Sequence, residues 1–430
     1  MISQAASTPQ NTGQSEGRAT SPARQRIISI DALRGLVMIV MIFVNDLGDV
    51  PDTVVPWWMK HYHGPSGMTF VDVVFPAFLF IVGMSIPFAL GGRLDKRESP
   101  WTVLLHVVER AASLLLIGIL MVNPTPDTQK MGWSGPLWET LMFLSVIFAF
   151  CVVSPARPSD KSKNAWRIVT LILRTAGFVG ITFLAFAYRN ANGRPMITLS
   201  PFYIHHIWYG ILGYIGWAYL LGGIVFLLFR TNLTAILGCA VLMMCLYPAN
   251  KLGMFDGLWI AKHVNIGVAF GSRAAITATG LLLGAMLYGT PPTAVKARVR
   301  FVLLLTAACA AAALLLNPLY GTSKENATPS WALWGCAITA FFWLGFYFIS
   351  DVRPVKFIAK PLSVCGQNVL LPYVMAELIA AAGTVFAFDA SYADAAQSSL
   401  THAIIRAAIA SAVVMGISVG LNRIGFRLKL

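Results

Sequence analysis

Charge is scarce in this sequence. Of its 430 residues only 12% are Asp, Glu, Lys or Arg, 57% are hydrophobic, and the mean hydropathy is +0.69. Soluble globular domains carry about 25% charged and roughly 45–50% apolar residues. The shortage excludes a soluble enzyme, a disordered chain and a free nucleic-acid binder, even with a net charge of +14. Paired cysteines are lacking too. Cys151, Cys239, Cys245, Cys309, Cys336 and Cys365 all lie inside apolar runs and none forms a C-x-x-C pair. Neither a zinc site nor a disulfide framework is indicated, and they read as small buried hydrophobes. No Walker loop, G-x-G-x-x-G or G-x-S-x-G element occurs, so nucleotide hydrolysis and α/β-hydrolase chemistry have no support. A short apolar region with a small-residue cleavage site is also missing after the polar N-terminus, so no cleaved signal peptide is read.

Apolar runs of membrane length are abundant. A helix needs ~20 apolar residues to cross a bilayer. Such runs lie at about 27–46, 69–90, 101–122, 137–155, 166–187, 207–229, 232–248, 272–290, 301–318, 331–350, 364–386 and 401–421. They predict an all-α, polytopic integral membrane helix bundle of about twelve transmembrane helices, with ten as the alternative. The weakest division is within 207–248, where only Arg230, Thr231 and Asn232 separate two runs. Residues 1–25, rich in Ser, Gln, Thr and Ala, read as a disordered tail, and 26–430 as one transmembrane domain. Twelve spans with the N-terminus inside place twenty Lys and Arg on cytoplasmic segments and eight on outer ones. That asymmetry obeys the positive-inside rule and predicts that both termini are cytoplasmic. Removing one helix would invert every later loop, so an even count is favoured.

Ionisable residues at membrane depth cost at least a few kcal/mol each and need a partner or a task. Asp31 and Arg34 open the first span at i, i+3 spacing, on one helical face. They read as a self-neutralising pair or as a cation awaiting an anionic ligand from the cytoplasm. Asn45 stands at the far end of the same helix and Asp72 at the start of the next. The loop between them holds His61 and His63, and a connection this short allows the four to converge. Histidine is the obvious base at neutral pH, and Asp72 is able to orient it as a triad carboxylate does. The two histidines bracket one residue, but the spacing gives no third and fourth metal ligand, and no metal is expected. His106, Glu109, Arg110, Glu139, Asn368, Glu377, His402 and Arg406 also lie in spans, with hydrogen bonding between helices as their ordinary role. Gly280 and Gly284 have the G-x-x-x-G spacing of close helix packing.

The first span, RIISIDALRGLVMIVMIFVN, is followed by a loop ending KHYHGPSGMTFVDVVFPAFLFIVGMSI. These segments resemble the heparan-α-glucosaminide N-acetyltransferase family of transmembrane acyltransferases. The pattern R-x-x-S-x-D-x-x-R-G, then V-N, then a loop His before a W-x-G, then D-x-V-F-P-x-F-x-F-x-x-G is matched by Arg26, Ser29, Asp31, Arg34, Gly35, Val44, Asn45, Gly67, Asp72, Phe75, Pro76, Phe78, Phe80 and Gly83. Late in the chain, CGQNVLLPYVMAE resembles another family segment through Gly366, Asn368, Tyr373 and Glu377. Two departures stand out. Pro65-Ser66 replaces a Trp before the loop glycine, so the catalytic His of the family falls on His61 or His63, with His61 favoured by the Lys60-His61 pair. A D-P-x-G motif is absent, and Gly271-Ser272-Arg273 stands near its place.

The resemblance implies an acetyl-CoA-dependent acyltransferase of a bacterial inner membrane. It would move an acetyl group from cytoplasmic acetyl-CoA to a sugar amine or hydroxyl on the outer face. It implies a catalytic group of His61 or His63, Asn45 and Asp72, and a cofactor-binding group of Arg34, Asp31, Asn368 and Glu377. Direct transfer and an acetyl-histidine intermediate both remain open. The implied partners are acetyl-CoA, an extracytoplasmic saccharide or other small acceptor and the lipid bilayer, with a homodimer left open and no nucleic acid. The competing class is a proton-coupled transporter of a small solute, which also places polar residues inside a helix bundle.

Overall fold

The computed structural model describes residues 27–122, 126–154, 160–200, 202–291 and 293–430; the tail expected at 1–25 lies outside them. The helices are α1 (Ile28–Gly48), α2 (Val71–Asp95), α3 (Pro100–Val122), α4 (Thr128–Met131), α5 (Gly135–Ala149), α6 (Asp160–Ala187), α7 (Gly210–Phe229) and α8 (Leu233–Lys251). They continue as α9 (Ala274–Gly289), α10 (Val295–Tyr320), α11 (Pro329–Tyr347), α12 (Lys356–Cys365), α13 (Leu370–Val385), α14 (Asp389–Gln397) and α15 (Leu400–Arg423). Among the described residues, ten helical segments are long and apolar enough to cross a membrane. The pair α12–α13, bent by 67°, and the 15-residue α5 account for the other two apolar runs. The chain is an all-α polytopic membrane bundle.

Burial divides the helices by position. The span that ends in α9 is 89% buried and α2 is 72% buried, whereas α8 and α10 are 17% buried. A helix apolar on every side belongs either in a protein core or against lipid, and small residues decide which. Gly83 of α2 lies against the Thr277 carbonyl, and Gly280 and Gly284 of α9 lie against the Phe80 and Met84 carbonyls. These two backbones therefore meet at the centre, as the G-x-x-x-G spacing predicts. On α10, Leu304, Leu314 and Leu315 point outward, as suits a lipid-facing surface. Pro76 inside α2 is received by Gly335 of α11, where a Cβ would approach the Pro76 Cγ to 2.8 Å.

Three local features differ from the sequence reading. The run 137–155 stops at Ala149, because β1 (Cys151–Val153) pairs antiparallel with β4 (Phe426–Leu428). The loop 188–206 contains a hairpin of β2 (Ile197–Leu199) and β3 (Phe202–Ile204). The run 364–386 begins earlier and is broken at 366–369, between α12 and α13. The doubtful division at 230–232 is a true turn. Arg230 takes a φ of +54°, and the Asn232 side chain accepts the Ala235 N–H to cap α8.

Candidate active site

The segment after α1 folds back through a single 3₁₀ turn, Trp57–Met59, and then runs extended into α2. Its anchor is Asp72, in the first turn of α2 and 1% exposed. Oδ2 accepts the Thr69 N–H at 3.0 Å and the Tyr62 N–H at 3.1 Å, the return contact of a capping box. A carboxylate at a helix N-terminus is also favoured by the helix dipole. Oδ1 lies 2.8 Å from His61 Nδ1. The Asp72 carbonyl accepts the Trp331 indole N–H at 3.0 Å, which ties this turn to α11.

A second residue, which the sequence reading did not single out, stands against the imidazole. Lys324 Nζ lies 2.8 Å from His61 Nε2 and 3.0 Å from Nδ1, beside the ring rather than at one nitrogen. Its loop, 321–328, is stitched to the histidine segment: Gly67 N–H donates to the Thr322 carbonyl at 2.8 Å and Thr322 N–H donates to Ser66 Oγ at 3.0 Å. Gly321, with φ +65°, and Ala327, with φ +47°, give the loop its tight path. Burial, aided by the Arg273 charge, brings the Lys324 ammonium down to about 8, against the opposing pull of Asp72 and Glu325. No motif announces Lys324. The only hint is a Lys-Glu pair in a short loop between two spans, 263 residues from its partner.

His63 is placed differently. It pairs with Glu325 at 2.8 Å, and both side chains are more than 60% exposed. The two histidines thus have separate partners, and only His61 touches a buried carboxylate. Asn45 does not join the group. Val44 and Leu47 turn inward, which leaves the Asn45 side chain exposed. Among the described residues no hydrogen bond links it to His61 or Asp72. Loop length made convergence plausible, but helical periodicity turns Asn45 away. The polar contact at that end belongs to Asp46, which accepts from Arg406 Nε at 3.0 Å and from the Tyr392 hydroxyl at 2.5 Å. Arg406 therefore locks α15 to α1.

At the other end of α1, Arg34 Nη1 donates to Asp31 Oδ1 at 3.1 Å and to the Gly366 carbonyl at 3.3 Å, and Nη2 donates to Ser85 Oγ at 2.5 Å. Gly35 and Gly366 allow α1 and the broken α12–α13 span to touch backbone to backbone. Asn368 lies in the break, and its Nδ2 is buried without a hydrogen-bond partner among the described residues. Asp351 finishes this end by accepting the Ile28 and Ser29 N–H groups at 2.9 and 3.1 Å. Glu377 does not belong to this cluster. It sits about 10 Å farther along α13, at 1.5 Å rise per residue, and lines a separate cavity with Glu139. Of the remaining candidates, His106 pairs with Glu109 at 3.6 Å, and Arg110 lies 4.8 Å over the Tyr219 ring.

The family model described as "Domain of unknown function (DUF5009)" matches residues 26–253, just over half of the chain. That stretch contains Arg34, His61 and Asp72 but ends before Lys324. The chain is 31% identical over 178 residues to heparan-alpha-glucosaminide N-acetyltransferase of Homo sapiens, a stretch covering 37% of this chain and 26% of that protein. It is 35% identical over 120 residues to the Mus musculus protein of the same name, covering 28% and 17%. The chain thus spans about a quarter or less of the length of these relatives. With just over half of its length under the family model, the chain belongs to the DUF5009 family.

Proposed function

We propose that this chain is a transmembrane acyltransferase of a bacterial inner membrane. It takes the acetyl group of acetyl-CoA bound at the Arg34 end, facing the cytoplasm, and passes it to an amine or hydroxyl at the His61 end. The names of the relatives support an acetyl donor and a sugar acceptor, and the bias of basic residues supports the orientation. One observation carries the reading: His61 is held between a buried carboxylate and a lysine, 2.8 Å from each. Asp72 fixes the tautomer and supports positive charge on the ring, while Nε2 keeps the lone pair that the reaction uses. That lone pair serves as base toward the acceptor or as nucleophile toward the acetyl carbon.

Arg34, Asp31 and Asn368 are the residues we assign to the CoA end. The break between α12 and α13 frees backbone groups there, a feature associated with ligand sites in membrane proteins. A cavity lined by Met38, Met41, Phe78, Val82, Arg110 and Tyr219 lies between this end and His61. It suits the slender arm that carries a thioester. The direct test uses purified protein in detergent, with free thiol released from acetyl-CoA measured against a panel of amino sugars and sugars. Acceptor-dependent thiol release is expected. Its absence, together with solute uptake driven by a proton gradient in proteoliposomes, would establish the transporter reading instead.

The Lys324 position predicts a pH dependence. Below about pH 8 the ammonium stands against the ring, within 3.0 Å of both its nitrogens, and opposes positive charge forming there; above it that opposition ends. The groups facing Lys324 are His61, Asp72, Glu325 and Arg273. The apparent kcat/KM should therefore rise through about pH 8, and Lys324→Met should remove that rise. Profiles of the two proteins with the same inflection would assign it elsewhere.

A further inference from the structure

Arg273 ends the π-helical turn Gly267–Arg273 that leads into α9, and it is 8% exposed. Its guanidinium lies 3.6 Å over the Tyr214 ring and 5.7 Å from the Phe75 ring. The rings cover its faces and the Tyr214 side chain also hydrogen-bonds to it, but not every N–H group is met: among the described residues, Nε and Nη1 are buried without a hydrogen-bond partner. The adjoining Ser272 hydroxyl is also fully buried and, among the described residues, lacks a partner. A buried charge with unmet donors costs several kcal/mol, and proteins keep one where a ligand completes it.

The position connects this pair to the candidate active site. Phe75 lies one turn beyond Asp72 on α2 and stacks on Trp331, whose indole donates to the Asp72 carbonyl. The Arg273 charge also acts on Lys324. With Lys324 protonated, the buried group holds two cations, Lys324 and Arg273, against one carboxylate, Asp72. Glu325 is exposed and paired with His63. The group is left with one uncompensated positive charge, which a monoanion balances and a phosphate dianion exceeds. A carboxylate matches guanidinium N–H donors.

We propose that Arg273 forms a carboxylate-binding subsite beside His61 and Lys324, so that the acceptor is an acidic sugar or another small molecule bearing a carboxylate. The word acceptor here rests on the acyltransferase reading; the subsite itself does not. The test therefore begins with binding. The unfolding midpoint of the purified full-length protein is measured with glucuronic acid and, at the same concentration, with glucose. Glucuronic acid should raise the midpoint and glucose should not. Arg273→Met, which fills the same space between the rings, should abolish the difference, and Arg273→Lys should keep part of it. Equal responses of the unaltered protein to both sugars would overturn the proposal without any variant, as would retention of the difference in Arg273→Met. With acetyl-CoA, muramic acid should exceed glucosamine in kcat/KM by about 10- to 100-fold, the worth of a charged hydrogen bond, and Arg273→Met should bring the ratio toward one. A glucuronic acid effect lost in Arg273→Met, with no turnover of any acceptor, would uphold the subsite and reject the acyltransferase reading.

Discussion

His61→Ala should slow acetyl transfer by about two to four orders of magnitude, the usual cost of losing a general base, and by more if the histidine carries the acetyl group. The protein should stay folded, because Asp72 retains the Thr69 and Tyr62 N–H groups after the imidazole is gone. His63→Ala is the matched control. It shares the loop and the solvent, but its partner is the exposed Glu325, and its turnover should fall within a few-fold of the unaltered protein. The measurement is initial-rate thiol release at saturating acetyl-CoA. An inactive His63→Ala beside an active His61→Ala would move the chemistry two residues along the same loop. Near-normal turnover in both would remove histidine from the reaction altogether.

Gly280→Val should leave no monodisperse protein. Any Cβ at this position runs into the Phe80 carbonyl, with the Phe80 Cα 3.0 Å away. Backbone cannot step aside as a flexible side chain can. The facing Gly83 makes the reciprocal approach to the Thr277 carbonyl, so separating the helices loses both contacts. Overpacking in a core costs typically 1–3 kcal/mol, and rigid backbone on both sides places this site at or above the top of that range. Gly416→Val on α15, where an added Cβ meets nothing within 4 Å, should behave as the unaltered protein. Size-exclusion profiles and unfolding midpoints in detergent compare the two. Equal stability would mean that the α2–α9 approach is not a determinant of the fold.

Much of this architecture was legible because lipid imposes a strict rule on sequence. Apolar runs near the needed length stand out from their polar loops, and glycines at four-residue spacing mark where helices touch. The Asp72–His61 contact was also legible, since a short hairpin confines both residues. Asn45 shows the limit: chain proximity suggested convergence, but helical phase decided against it. Glu377 shows another, for a shared motif with Asn368 did not mean a shared site once α13 had carried it away from the break. Lys324 was illegible for a third reason. Its role comes from packing between segments separated by most of the chain, and nothing local marks it.

The 263-residue separation of His61 and Lys324 also has a consequence in time. At about 5–20 residues per second of synthesis, the lysine follows the histidine by on the order of 10–50 s. Throughout that interval His61 and Asp72 are present without the lysine that will stand against the ring. Gly366 and Asn368, at the proposed CoA end, follow later still. A chain released before the loop after α10 therefore lacks part of the proposed site, and pulse-labelled chains released at successive lengths should show acetyl transfer only after that loop and the α12–α13 break have both been made.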